Sequence, residues 1–234
     1  MKVRKLVVPV TATLAVCGVL GAAPAAGQAR PAVAPTWTEQ APATHPLGRS
    51  GAAMAYDAAT GTAVLFGGVG GRLKILKFAD IWTWDGSTWT KQAPAASPPA
   101  WGAAGMAYDA ATHSVVLFGG PNGDTWTWNG STWAKQAPAA SPSPRAGAGM
   151  AYDAATGTVV LFGGIGYSTG RYLGDTWTWD GTTWTRQNPA ASPATGVNPA
   201  MAYDAATGSV VLFGGYTGRG PRPYHYHRGT WTWG

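Results

Sequence analysis

An all-β fold is what this 234-residue chain predicts, and three observations carry that expectation. The string Met-Ala-Tyr-Asp occurs four times, starting at Met54, Met106, Met150 and Met201. Each copy leads through an Ala-Ala-Thr-Gly or Ala-Ala-Thr-His turn into a β-branched run that closes on Phe-Gly-Gly. The copies begin 52, 44 and 51 residues apart, and a period near 50 built of short strands is the spacing of propeller blades. No helical period of useful length runs through residues 36–234, so four four-stranded antiparallel sheets are expected.

The segments preceding the repeats follow a different logic. Lys2, Arg4 and Lys5 form a basic start, Leu6 to Leu20 is mostly apolar, and small residues follow at Ala23, Ala25 and Ala26. Residues 1–26 therefore read as a secretory signal peptide and 27–35 as a linker. The apolar run contains Pro9 and Gly18 and falls short of the roughly 20 residues that span a bilayer, so no membrane span is expected after cleavage. A secreted, extracellular protein is the expectation. Leu14-Ala15-Val16-Cys17 partly resembles a lipobox, which makes a lipid anchor through Cys17 at the cell surface the alternative. Cys17 is the only cysteine, so the mature chain has no thiol chemistry.

Within a repeat, the first strand ends in Met-Ala-Tyr, and the second is a run such as Thr158 to Phe162. The third is Thr176-Trp177-Thr178-Trp179, whose strict alternation sends tryptophans to one face and threonines to the other. Asp180-Gly181 then signals a hairpin, because the dipeptide tolerates positive φ, and Thr183 to Arg186 is the fourth strand. The chain enters residues 36–234 on Thr36-Trp37-Thr38-Glu39-Gln40, which matches the fourth strand Thr88 to Gln92, and its last repeat runs to the third strand Trp231-Thr232-Trp233. The N-terminal strand is therefore expected to complete the last blade and close the ring.

The double glycines Gly67-Gly68, Gly119-Gly120, Gly163-Gly164 and Gly214-Gly215, each closing a β-branched strand and followed by an aromatic third strand and a fourth-strand tryptophan, resemble the kelch repeat. The resemblance covers roughly residues 36–234 and implies a four-bladed kelch-like β-propeller. Two departures are visible. Tryptophan stands where the third strand usually carries tyrosine, as at Trp84, and four repeats is fewer than the family usually has.

Composition excludes some functions. Three of the sixteen Lys and Arg lie in the leader, which leaves about +3 on the mature chain; nucleic acid, which calls for a concentrated basic stripe, is not an expected partner. The acidic residues recur once per repeat: Asp57, Asp109, Asp153 and Asp204 in one turn, Asp80, Asp124 and Asp175 before the third strand, Asp85 and Asp180 in the hairpin where Asn129 also stands, with Glu39 left over. Recurrence at a turn points to backbone capping, whereas acid–base catalysis needs a pair whose environments differ. The hairpins from Thr83 to Trp89, Thr127 to Trp133 and Thr178 to Trp184 also resemble the Asp box of sialidase-type propellers. A glycan-processing enzyme using Glu39 or Tyr224 is accordingly the alternative to a non-enzymatic scaffold. A copper centre of the galactose-oxidase kind would need a cysteine that the mature chain lacks. His45 and His113 read as surface residues, and His225 and His227 without a carboxylate or thiol make a poor metal site. No metal or cofactor is expected.

The repeats differ most between their second and third strands. These connections carry Arg72, Lys74 and Lys77 in the first repeat, Tyr167, Arg171 and Tyr172 in the third, and Arg219, Arg222, Tyr224, His225, Tyr226 and His227 in the fourth. Strand alternation puts them on the face of the Pro-rich linkers, where Trp101 is the one tryptophan of thirteen outside the repeat pattern. Variable loops on a rigid frame are where specificity resides. An extracellular protein or an acidic envelope glycan is the expected partner. The chain is expected to be a monomer, with pairing of two chains into a larger ring as the alternative.

Overall fold

The computed structural model describes residues 36–71, 76–218 and 224–234. They form strands and turns, with no helix among them. The first repeat supplies β1 (Arg49–Ser50), β2 (Ala53–Asp57), β3 (Thr62–Phe66), β4 (Val69–Gly70), β5 (Leu76–Lys77), β6 (Ile81–Trp84) and β7 (Trp89–Gln92). The second supplies β8 (Gly105–Asp109), β9 (Ser114–Gly119), β10 (Asp124–Trp128) and β11 (Trp133–Lys135). The third adds β12 (Arg145–Ala146), β13 (Gly149–Asp153), β14 (Thr158–Phe162), β15 (Ile165–Gly166), β16 (Thr176–Trp179) and β17 (Trp184–Gln187). The fourth ends the series with β18 (Ala200–Asp204), β19 (Ser209–Phe213), β20 (Tyr216–Thr217), β21 (His225–Tyr226) and β22 (Thr230–Trp233).

The long strands make antiparallel sheets in the orders β2-β3-β6-β7, β8-β9-β10-β11, β13-β14-β16-β17 and β18-β19-β22. The arrangement is β-propeller-like. Successive sheets pack through their first strands, β2 on β8, β8 on β13 and β13 on β18. The last sheet has three strands among the described residues, with β22 at its edge. Residues 36–40, expected as a fourth strand, have no strand conformation, and Trp37 is fully exposed.

Why these residues turn where they do is visible in the repeated aspartates. Asp57 is fully buried, and its Oδ1 accepts the Ala59 and Thr60 amides at 3.0 and 3.4 Å. The Gly61 amide returns to the Asp57 carbonyl at 2.9 Å. That turn needs a left-handed residue, supplied by Gly61, Gly157 and Gly208 in three repeats and by His113, at φ +52°, in the second. The hairpin before each fourth strand is capped likewise: Asp180 Oδ1 accepts the Thr182 and Thr183 amides, each at 2.8 Å.

Aromatic packing between sheets holds the frame. Trp128, Trp133 and Phe66 pack together with Val115 and Leu117 between the first and second sheets. Trp179, Trp184 and Phe118 repeat the arrangement between the second and third. Each fully buried indole removes roughly 200 Å² from water, a gross gain of about 5 kcal/mol before ordering costs. Between the third and fourth sheets the buried cluster shrinks to Ala151, Val160 and Val210.

Candidate functional site

The variable connections and the proline-rich linkers meet at one end of the sheets. The Tyr167 amide bonds the Pro144 carbonyl at 2.9 Å, and the Gly68 amide bonds the Trp101 carbonyl at 3.1 Å. Short strands stiffen the loops: β1 pairs with β4 and β4 with β5, β12 with β15, and β20 with β21. In the second repeat the connection is a tight turn in which the Gly123 amide reaches the Gly120 carbonyl.

Two arginines that the sequence reading passed over fasten the base of this face. Arg145 is buried, and its guanidinium grips Asp175 at 2.7 and 2.8 Å while donating to the Gly163 carbonyl at 2.9 Å. The Trp177 indole donates to the same carboxylate at 2.7 Å. Arg49 and Asp80 repeat this in the first sheet at 2.6 and 3.0 Å, with the Arg49 guanidinium 4.1 Å from the centre of the Phe78 ring. Hydrogen bonding from Arg49 is the main reason the Asp80 carboxyl sits below its usual value. For Asp175, burial is the largest influence and pushes upward, but the bonds from Arg145 and Trp177 and the guanidinium charge together outweigh it and hold the carboxyl low. A fork-to-fork pair of this kind is charge-assisted and directional.

Trp101 stands where Arg49 and Arg145 stand, four residues before the first strand of its sheet. Its ring lies against Gly120, where a Cβ would overlap it, and only 2% of it is exposed. Trp101 is therefore a core residue and leaves the set of candidate binding residues. In the fourth repeat Gly196 takes the arginine's place and Gly229 the aspartate's, so both halves of the latch are replaced together. A Cβ on Gly196 would crowd the His227 ring, whose Nε2 donates to the Thr195 carbonyl at 3.1 Å.

The remaining candidates divide by place. Arg72, Lys74, Arg219 and Arg222 lie outside the described residues. Lys77 is exposed on β5, and Tyr167 and Arg171 are exposed in the third loop. Tyr172 is half-buried, with its hydroxyl donating to the Gly218 carbonyl, which ties the third loop to the fourth. The fourth loop gathers three phenol rings. Tyr216 stands edge-on to Tyr224 at 5.3 Å and lies 6.0 Å from Tyr226, and Tyr224 and Tyr226 are 6.4 Å apart. Tyr224 and Tyr226 are 45% and 72% exposed, and His225 between them is also exposed. Tyr216 was not among the expected site residues; its pairing with Tyr226 across β20–β21 brings it in.

The arrangement can present flat, partly apolar rings beside hydroxyl donors and nearby cations. Among the described residues, no three His, Cys, Asp or Glu side chains converge in a way that holds a metal. No described helix is long and apolar enough to cross a membrane. Compared with known proteins, the chain matches no protein-family model and no curated protein.

Proposed function

We propose that this chain is a secreted, non-enzymatic binding scaffold of kelch-like repeats, which holds an extracellular protein or an acidic envelope glycan at its loop-bearing end. The observation that carries the reading is the cluster of half-buried Tyr216 with exposed Tyr224 and Tyr226, on a short hairpin that a buried frame supports. Tyrosine gives a large contact area at low entropic cost and retains a hydroxyl for polar recognition. Lys77, Arg171 and Arg228 are exposed on the same connections and would favour an acidic partner. The non-enzymatic part rests on what the aspartates already do. Asp57, Asp109, Asp153 and Asp204 hold turns, Asp85 and Asp180 cap hairpins, and Asp80, Asp124 and Asp175 pair with Arg49, Lys135 and Arg145.

The test is retention on isolated cell-envelope material. Replacing Tyr224 and Tyr226 together with Ser should weaken retention about tenfold, the equivalent of ~1.4 kcal/mol, and Lys77→Ser should reduce its salt sensitivity. Unchanged retention of the double variant would remove the proposal.

A further inference from the structure

The edge of the last sheet is shaped for a tryptophan. In the second and third sheets the fourth-strand tryptophan is wedged between sheets: Trp133 meets Phe66 edge-on at 5.8 Å, and Trp184 meets Phe118 at 5.4 Å. The Trp184 indole also donates to Thr125 Oγ1 at 2.9 Å. Three residues further along, Gln136 and Gln187 donate to Thr127 and Thr178 Oγ1 of the neighbouring strand at 2.8 Å. Beside β22 the equivalent place is an open cleft, lined among others by Phe162, Thr176, Leu212, Trp231 and Trp233. Phe162 and Thr176 are the counterparts of Phe118 and Thr125.

Thr36-Trp37-Thr38-Glu39-Gln40 carries the tryptophan and the glutamine at the spacing this seat requires. Its distance from the first sheet is also that of a fourth strand. Positions 40 to 53, 92 to 105, 136 to 149 and 187 to 200 are each a step of 13 residues from that glutamine to the start of the next first strand. A fourth strand thus belongs to whichever sheet precedes the first strand that follows it. The sheet preceding β2 is therefore the one that receives Thr36–Gln40.

Within one chain, the described sheets are linked in series. The amides of Ala103, Gly147 and Asn198 bond the carbonyls of Gly51, Ala103 and Gly147, each at 2.7 Å, linking the four sheets in three steps. No bond from Gly51 to Asn198 completes the series among the described residues, and β18 has no packing on β2 like that of β8 on β2. Both end faces are open in complementary ways. Met150 and Met201 press on Gly105 and Gly149 of the preceding sheet, whereas Met54 is 59% exposed. Phe66 and Phe118 are covered by the next sheet's tryptophan, whereas Phe213 is 53% exposed.

We propose that a second copy of this chain docks head to tail on the first, its Thr36–Gln40 strand pairing with β22 and its Trp37 filling the cleft against Phe162 and Thr176. Gln40 of that strand reaches Thr232, and Trp89 of the second copy covers Phe213. The same contacts repeated in the other direction leave neither chain with an open edge, so the assembly closes at two.

The register β6–β7 sets opposite Thr83 and Thr90 puts Thr38 opposite Thr232, which makes the pairing readable by disulfide. Thr38→Cys and Thr232→Cys are prepared as separate full-chain variants in a Cys17→Ser background, mixed, oxidised and resolved without reductant, alongside the solution mass of the Cys17→Ser chain over a concentration series. The expected result is a native mass of two chains and a covalent band at twice the chain mass that appears in the mixture and in neither variant alone. Trp37→Ala should return the mass to one chain with an unchanged β-sheet circular dichroism spectrum. A native mass of one chain across the whole concentration series overturns the proposal. So does a Thr38→Cys/Thr232→Cys double variant that loses its thiols without gaining mass, because the strand would then close its own chain.

Discussion

Among single residues, the Arg145–Asp175 pair is where charge matters most. Arg145 is 1% exposed, so removing its partner strands a buried guanidinium; Asp175→Asn should cost about 3 kcal/mol at neutral pH, measured by urea unfolding. The pH dependence has a fixed sign. The Asp175 carboxyl is held below its ordinary 3.8 in the folded chain, so the folded state binds its proton less readily than the unfolded state does. The pair's contribution is fully present above the unfolded value and is lost as pH falls through the folded one. Asp80 behaves in the same sense, chiefly through its bond from Arg49. Urea midpoints should therefore hold steady down to about pH 5 and fall below about pH 4, and Asp175→Asn should flatten that fall. A variant whose midpoint drops as steeply as the parent's would show that the pair is not what acid breaks.

At the level of elements, the two fourth-strand tryptophans offer a matched comparison. Trp184 is 1% exposed and donates to Thr125 Oγ1, itself 1% exposed; Trp133 is 3% exposed and its indole nitrogen has no partner, because Ile81 stands where Thr125 would. Trp184→Phe strands the buried Thr125 hydroxyl, while Trp133→Phe discards an unpaired donor, so the first should cost about 1–3 kcal/mol more than the second. Equal losses in a thermal or urea series would mean that the hydroxyl finds another partner. The strands themselves were legible in the sequence because alternation and turn chemistry are local: Thr176 to Trp179 reads as a strand and Asp180-Gly181 as a hairpin without any knowledge of neighbours. What was not legible is anything set by the sheet in front or behind. Trp101 looked like a surface tryptophan in a linker, yet it fills the slot that arginine fills in two other repeats, a fact visible only once Gly120 is seen beneath it. The Arg49 and Arg145 latches were hidden for the same reason, since each arginine finds its aspartate about 30 residues away. The Tyr216 ring joined the candidate site through the β20–β21 pairing, which the loop's composition did not announce.

Across the whole set of sheets, stability is carried by neighbours, so it is unequal along the chain. In a row of repeats each unit gains an interface from either side, and a terminal unit has one fewer. The burial pattern follows that rule: Val115, Val116, Leu117, Val159 and Leu161 of the second and third sheets are fully buried, while Met54 and Tyr56 of the first and Phe213 and Trp231 of the fourth stay exposed. At a concentration where one chain per particle is measured, β2 and β22 should exchange their amide hydrogens first, and β9 and β14 should be the last to open. Raising the concentration into the two-chain range should slow exchange in β2 and β22 far more than in β9 and β14, because only the end sheets gain a neighbour. Hydrogen exchange read by mass spectrometry across a dilution series separates these cases. Uniform slowing along the chain would mean that association stabilises the frame as a single cooperative unit, and no slowing at the ends would mean that the open faces are not where the second chain sits.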